Sequence, residues 1–450
     1  MTLTAHAAAP LTVVWAAPFA GLLLSIACWP LAAPRFWHRH FGKIAAGWAL
    51  AFIAPFTLVH GTGMAAAQVA HALLAEYLPF IVLLTALFTI SGGIYVRGNL
   101  HGSPALNTVL LAAGALLANV MGTTGASMLL IRPLIRANDN RRHNAHVIVF
   151  FIFVVGNIGG ALTPLGDPPL FLGFLKGVGF FWTARHLMGP TLFLLAVLLA
   201  LFYLIDRHWY RKEGVQPVDP TPNTPRVGCD GAINFALLGA VVALVLVSGL
   251  WRPGIHWGIA GVEVALQDLA RDLGLIAVTA ASLALTPRAA RADNQFHWAP
   301  MQEVAKLFAA IFLTMIPVIA MLQAGTNGPF GSLLRAVTRA DGTPEPALYF
   351  WSTGLLSAFL DNAPAYLVFF NTAGGDADRL MEPLAGALAA ISAGAVFMGA
   401  LTYIGNAPNL MIKAIAEDRG IKMPGFLGYL TWSGAVLLPL FAGVTWLLRF

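Results

Sequence analysis

Two aspartates stand in apolar surroundings that offer a charge little company: Asp167 in "GGALTPLGDPPL" (Gly159–Leu170) and Asp361 in "LDNAPAY" (Leu360–Tyr366). A carboxylate held at the middle of a membrane costs about 2.5–3.5 kcal/mol on insertion scales. It relieves that cost by taking up a proton or a metal cation, and a group that takes one only on releasing the other performs exchange. The neighbouring residues suit a hard, oxygen-seeking cation such as Na+. Thr163, Gly166 and Asp167 offer hydroxyl, backbone carbonyl and carboxylate oxygens, and Thr123 and Thr124 in "MGTTGAS" (Met121–Ser127) offer two more hydroxyls. Towards the other end, "GALTYIGNAPNL" (Gly399–Leu410) presents Thr402, Gly405 and Asn406 in the same order, to be set against Asp361 and Asn362. The expected Na+ ligands are Asp167, Asp361, Thr163 and Thr402.

The elements that must position these residues are read from the breaks they sit in. Both long motifs carry Gly-Ala-Leu-Thr, one variable residue, Leu or Ile, Gly, then Asp or Asn with a proline soon after. Gly160 and Gly399 are 239 residues apart, and the same offset lays Met121–Ala126 onto Leu360–Ala365 without a gap. A helix broken inside a membrane exposes N–H and C=O groups at several kcal/mol each, so it persists only where it lines a protein-enclosed or wet cavity. There the freed carbonyls and helix ends become ligands. The expectation is two mirrored half-sites at mid-depth, one open to each side, as an alternating-access carrier needs. Taken alone, "GDPP" also reads as an interfacial turn capped by its aspartate, and "DNAP" as a kinked helix with a capped restart.

Of the 450 residues, 58% are hydrophobic and 10% charged, and the mean hydropathy is +0.75. Soluble domains carry about 25% charged residues, so the fold class is an all-α polytopic membrane protein. Short alternating β-barrel segments are missing from the pattern. About ten transmembrane helices are expected, near 10–32, 44–62, 77–96, 147–175, 186–206, 232–250, 272–287, 303–324, 382–412 and 425–448. Of these, 147–175 and 382–412 are the two broken helices. The stretches 105–131 and 346–370 are interrupted halfway and are expected to be re-entrant hairpins. With the N-terminus outside, that arrangement puts 18 Lys and Arg on the cytoplasmic side against 8 outside. A full crossing by 105–131 would instead place Arg132, Arg136, Arg141 and Arg142 outside, against the positive-inside rule.

The chain thus divides into a first half, 1–206, a Pro-rich cytoplasmic linker, 207–231, and a second half, 232–450, inverted relative to the first. Segments 63–76 and 255–271, of mixed polarity at helical spacing, are expected to lie on the membrane surface as amphipathic helices. The first 34 residues contain no Lys or Arg, so the first apolar run reads as a retained span and not a cleaved signal. The net charge of +6 asks for no nucleic-acid partner. Cys28 and Cys229 fall in a span and a cytoplasmic loop, which argues against a disulfide. No Walker loop, dinucleotide motif, metal-ligand histidine spacing or nucleophile–base set appears, so neither an enzyme nor a cofactor is expected. Glu303 and Lys306, at i and i+3, read as a helix-end pair.

"NVMGTTGASMLLIRP" (Asn119–Pro133), "GGALTPLGDPPLFLGFLKGVGFFW" (Gly159–Trp182), "LDNAPAYLVFF" (Leu360–Phe370) and "GALTYIGNAPNLMIKAIAE" (Gly399–Glu417) resemble the NhaD-like sodium/proton antiporters. These belong to an ion-transporter superfamily that also holds citrate, dicarboxylate and arsenite carriers. The resemblance implies an inverted-repeat fold with paired hairpins, a homodimer in the lipid bilayer of a bacterial inner membrane, and Na+ and H+ as transported ions. Related dicarboxylate carriers have Ser-Asn-Thr at both tips. Here the tips read Gly122-Thr123-Thr124 and Asp361-Asn362-Ala363, so the carboxylate-binding role does not carry over residue by residue. Cation/proton exchange leads. A symporter of citrate-like anions stands second, because Asp361 would repel a polycarboxylate in a low-dielectric pocket unless a bound cation screened it.

Overall fold

Helices dominate because long apolar runs can satisfy their backbone in lipid only within themselves. The computed structural model describes residues 11–98, 100–214, 228–339 and 343–447. Residues 215–227 of the expected linker lie outside the described residues, as do Arg226 and Arg449 of the charge count. Among the described residues, eight helical segments are long and apolar enough to cross a membrane. The chain is an all-α polytopic membrane protein.

One of those eight, Pro104–Ala137, does not cross. A straight helix of 34 residues is about 50 Å long, yet the Gly102 N–H donates to the carbonyl of Ala137 at 2.6 Å. Asn107 and Asn138 exchange side-chain hydrogen bonds at 2.9 Å across the same opening. The segment is a hairpin that reverses at Gly122, whose φ of 78° and ψ of 156° belong to neither helical arm. Ser103 caps its start by accepting from Leu106 N–H at 3.2 Å, with Pro104 in the first turn where its missing donor costs nothing. The second hairpin, Pro346–Leu360 and Asn362–Thr372, reverses at Asp361 with φ 79° and ψ 141°. Its arms meet edge to face through Tyr349 and Phe369, 6.0 Å apart between ring centroids.

Each hairpin is followed by a helix broken in mid-course. Ala145–Val154 gives way to a turn of 3-10 helix at Ile158–Gly160 and resumes at Pro168–Leu175. Ala385–Met398 gives way to Gly399–Leu401 and resumes at Ala407–Asp418. The 32-residue helix Trp182–Glu213 shows how the two hairpins are oriented. Asn107, at the mouth of the first hairpin, bonds Asp206 near the C-terminal end of that helix. Met381, nine residues past the second hairpin, accepts from Trp182 Nε1 at the opposite end. Residues 182 and 206 are separated by roughly 36 Å of helix, more than the ~30 Å hydrocarbon core, so the hairpins open towards opposite faces.

The mouth of the first hairpin is closed by buried ions. Arg141 lies 2.6 Å from Asp206 Oδ1, His146 Nε2 lies 2.8 Å from the same atom, and Asn107 donates to Oδ2 at 2.9 Å. Both Arg141 and Asp206 side chains are fully buried. The corresponding positions of the second half are apolar or uncharged: Pro346, Leu380, Ala385 and Thr445.

Two sequence expectations are corrected. Segment 63–76 is not a separate surface helix; it opens the 30-residue helix Thr62–Ser91. Nothing between Gly61, which ends the preceding helix at φ 84°, and Gly92 stops the winding, and a π-helical turn at Ala72–Tyr77 carries the helix on to Pro79. Segment 255–271 is not one helix either. His256–Ile259 and Val262–Ala265 pair as an antiparallel hairpin, and the helix begins only at Leu266. Ala260 and Gly261 both take positive φ, 51° and 79°, as a two-residue hairpin turn demands. The alternation in "GVEVA" was a strand signal.

Opposed hairpins predict a labelling pattern. A cysteine in place of exposed Arg142, beside the first mouth, should react with an impermeant thiol reagent from one side of the membrane only. One in place of exposed Asp378, beyond the second, should react only from the other. Reaction of both from one side would contradict the inverted arrangement.

Candidate functional site

The hairpin tips and helix breaks come together at one point. Asp167 occupies the N-cap position of Pro168–Leu175 in extended conformation, φ −143° and ψ 143°. Its carboxylate, 1% exposed, accepts from Thr123 Oγ1 at 3.0 Å, from Asn406 Nδ2 at 3.0 Å and from Asn362 Nδ2 at 2.5 Å. Thr123 and Asn362 follow the reversal residues of the two hairpins, and Asn406 caps the second broken helix. One side chain from each of the four interrupted elements therefore meets in a single cluster. The two half-sites expected from the sequence are joined, with Asp167 touching both.

The repeat is geometric as well as sequential. Asp167 and Asn406 are 239 positions apart, and both occupy the N-cap position, in the same extended conformation, of a helix restart with proline in its first two residues. Thr163 Oγ1 donates to the Asn119 carbonyl at 2.5 Å, and Thr402 Oγ1 donates to the carbonyl of Ala358, the residue at the same offset. These two hydroxyls tie each break to the first arm of its own hairpin, and neither donates to Asp167. Gly166 and Gly405 press against the carbonyls of Gly160 and Gly399, where any Cβ would collide. The freed carbonyl of Gly166 then accepts the Thr123 N–H at 2.8 Å.

Asp361 lies next to the cluster without joining its hydrogen bonds. Its carboxylate accepts weakly from Ala363 N–H at 3.4 Å, and the next residue, Asn362, donates to Asp167. Its backbone sits in a region that L side chains rarely adopt, at the place where the first half has Gly122. Such strain costs of order 1–3 kcal/mol and collects at functional sites. Asn362 is fully buried and its Oδ1 has no partner.

A cavity of about 90 Å³ adjoins Asp167, and a water needs ≳ 10–15 Å³. Thr123, Thr124, Gly166 and Asp167 form its polar wall. Leu84, Phe88, Met301 and Met411 form much of the rest. Among the described residues, Asp167 is the only ionisable side chain lining it.

Sequence reasoning passed over three asparagines. Asn157 donates to Asn409 Oδ1 at 2.8 Å and accepts from Asn406 at 3.2 Å, so it bridges the two broken helices. Asn409 in turn donates to the freed carbonyls of Gly399 and Thr402, each at 2.9 Å. Asn119 donates to the Gly159 carbonyl at 2.6 Å and accepts from Leu162 N–H at 2.9 Å. The signal available was an amide side chain inside an apolar span. The repeat could not reveal it, because the offset partners are Val396, Leu170 and Ala358. Glu303, expected to pair with Lys306, instead accepts from Trp37 Nε1 at 3.2 Å, while Lys306 lies over the Phe41 ring.

Residues 8–449 match a protein-family model described as "Putative citrate transport". The chain is also 25% identical over 341 residues to the "46 kDa membrane protein" of Mycobacterium leprae, a match covering 71% of each chain.

The two reversal residues predict opposite responses. Gly122→Ala puts a Cβ 3.3 Å from the Leu165 carbonyl at a φ of +78° and should lower stability by about 1–3 kcal/mol. Asp361→Gly removes a side chain from an equivalent conformation and should raise it by about 1 kcal/mol. Thermal unfolding of the purified variants checks this; a larger loss from Asp361→Gly than from Gly122→Ala would contradict the strain assignment.

Proposed function

We propose, since this chain belongs to the citrate-transport family and is a membrane transporter, that it is a secondary carrier in which Asp167 binds a proton and a small cation such as Na+ in alternation. The observation that carries this reading is the composition of the cluster: a buried carboxylate whose three partners are all neutral. A charge-paired aspartate would have its counter-ion built in and nothing to gain from a cation. Asp167 has none, so an arriving proton or cation supplies the missing charge in a low-dielectric site where that is worth most.

The same residues can serve both states. With Asp167 protonated or empty, the amide N–H groups of Asn362 and Asn406 hold its oxygens. Turning either amide about its last bond replaces the N–H2 by a carbonyl oxygen, the ligand a hard cation prefers. Thr123 rotates its hydroxyl to the same effect. Asp361 adds a second negative charge beside the ion. Cation entry through the cavity displaces the proton, and exchange follows from occupancy by one or the other. The hairpins, opening to opposite faces, supply the two access routes for alternating access.

The family description favours a second reading, a cation-coupled symporter of citrate-like anions. Against it stands the lining of the cavity beside Asp167, which among the described residues holds no Lys, Arg or His to meet a carboxylate.

Proteoliposomes loaded with a pH-sensitive dye separate the two readings. Exchange predicts that Na+ or Li+ alone drives proton movement. Asp167→Asn keeps the shape but neither titrates nor carries charge, and should cut that flux at least ~100-fold, equivalent to about 2.7 kcal/mol. Asp361→Asn should also uncouple it. Proton movement that appears only when citrate is added with the cation would overturn exchange in favour of symport.

A further inference from the structure

The first arm of the second hairpin carries a polar series that leads to Asp361 and that the exchange reading does not use. Glu345, Tyr349, Thr353, Ser357 and Asp361 recur at every fourth position, so along Pro346–Leu360 they follow one face of the arm. Glu345, half-buried and paired with Arg339, stands at the mouth, and Asp361 at the reversal, roughly 24 Å away along the arm. The first copy folds without any of this. At the offset of 239 it carries Leu106, Leu110, Gly114, Ala118 and Gly122. The hairpin fold therefore does not require the series.

The three hydroxyls between these carboxylates are fully buried. Ser357 Oγ donates to the Ala395 carbonyl at 2.7 Å, and the Tyr349 ring meets Phe369 of the second arm. The series thus runs in a seam enclosed by both arms and the helix Ala385–Met398. Tyr349 Oη and Thr353 Oγ1 have no hydrogen-bond partner there. A buried hydroxyl without a partner is costly, and an internal water with several polar neighbours is the usual remedy. Successive members stand roughly 6 Å apart along the arm, about two hydrogen-bond lengths, so one water spans each gap. Among the described residues lining the cavity beside Asp167, none belongs to the series.

We infer that the seam holds a file of internal waters, and that Glu345, Tyr349, Thr353 and Ser357 pass protons along it between the second mouth and Asp361. Each hydroxyl or water accepts one proton and releases another. The bulk solution supplies the proton, the Asp361 carboxylate takes it up, and nothing else is consumed. Asp361 stands outside the hydrogen bonds of Asp167, so the file ends one step short of the exchange site, and alternation of access governs that last step. The transport role rests on the exchange reading; the presence of the waters does not.

Two measurements on the full-length protein test this. Radiolytic footprinting in detergent oxidises side chains that touch bound water, so Tyr349 of the native chain should be oxidised in spite of its burial, and Thr353→Val should lower that oxidation. In proteoliposomes, Tyr349→Phe and Thr353→Val should each slow Na+-driven proton movement by about tenfold or more. Their Na+ affinity, read by calorimetry, should stay that of the native chain, because a path sets a rate and not an equilibrium. An unoxidised Tyr349 would overturn the file of waters. Proton movement at native speed in both variants, or a loss of Na+ affinity as large as the loss of rate, would overturn its transport role. If the native chain moves no protons with Na+, exchange at Asp167 fails, and the oxidation of Tyr349 still decides for or against the waters.

Discussion

The carboxylate of Asp167 is the one group held by all the interrupted elements at once. Thr123 reaches it from one hairpin, Asn362 from the other, and Asn406 from the second broken helix, while Asp167 itself caps the first. Each of those breaks would be unstable alone in lipid, because several backbone groups lose their helical partners. The breaks survive because they satisfy one another: Gly166 takes the Thr123 N–H, Asn409 covers the carbonyls of Gly399 and Thr402, and Asn119 covers that of Gly159. The polar centre is thus a condition for the fold, and it is the same cluster that the proposed exchange uses.

Duplication explains the shape of this centre, and departures from it explain the chemistry. Positions 167 and 406 take one backbone conformation but carry Asp in the first copy and Asn in the second. Positions 122 and 361 likewise take one conformation, yet carry Gly and Asp. Each copy therefore contributes one carboxylate, at non-equivalent places. The hairpin mouths differ as well. The first is fastened by the buried Arg141–Asp206–His146 group, and the second has no charged residue at the corresponding positions.

Much of this could be read from the chain. Composition gives the class, and helix-breaking residues inside apolar runs give both hairpins and both broken helices to within a few residues. A common offset relates the two pairs. The merging of the half-sites was hidden, because contacts between copies leave no trace in spacing within a copy. Thr163 and Thr402 were marked for their hydroxyls, which the structure directs to hairpin carbonyls. Asn157 and Asn409 escaped because they are not duplicated. The β-hairpin at His256–Ala265 differs from the expected helix because short strands and amphipathic helices share a mixed polarity; the alternation in Val262–Ala265 and the turn at Ala260-Gly261 tell them apart.

The central claim is that one buried carboxylate cluster takes either a proton or a cation. The most direct measurement is proton release on cation binding: NaCl added to the purified protein in weakly buffered detergent solution, read with a pH indicator. The account predicts that Na+ binding expels protons from the native chain, that its affinity falls as the pH is lowered, and that Asp167→Asn abolishes the release. Na+ binding with unchanged affinity at every pH and no proton release would contradict it.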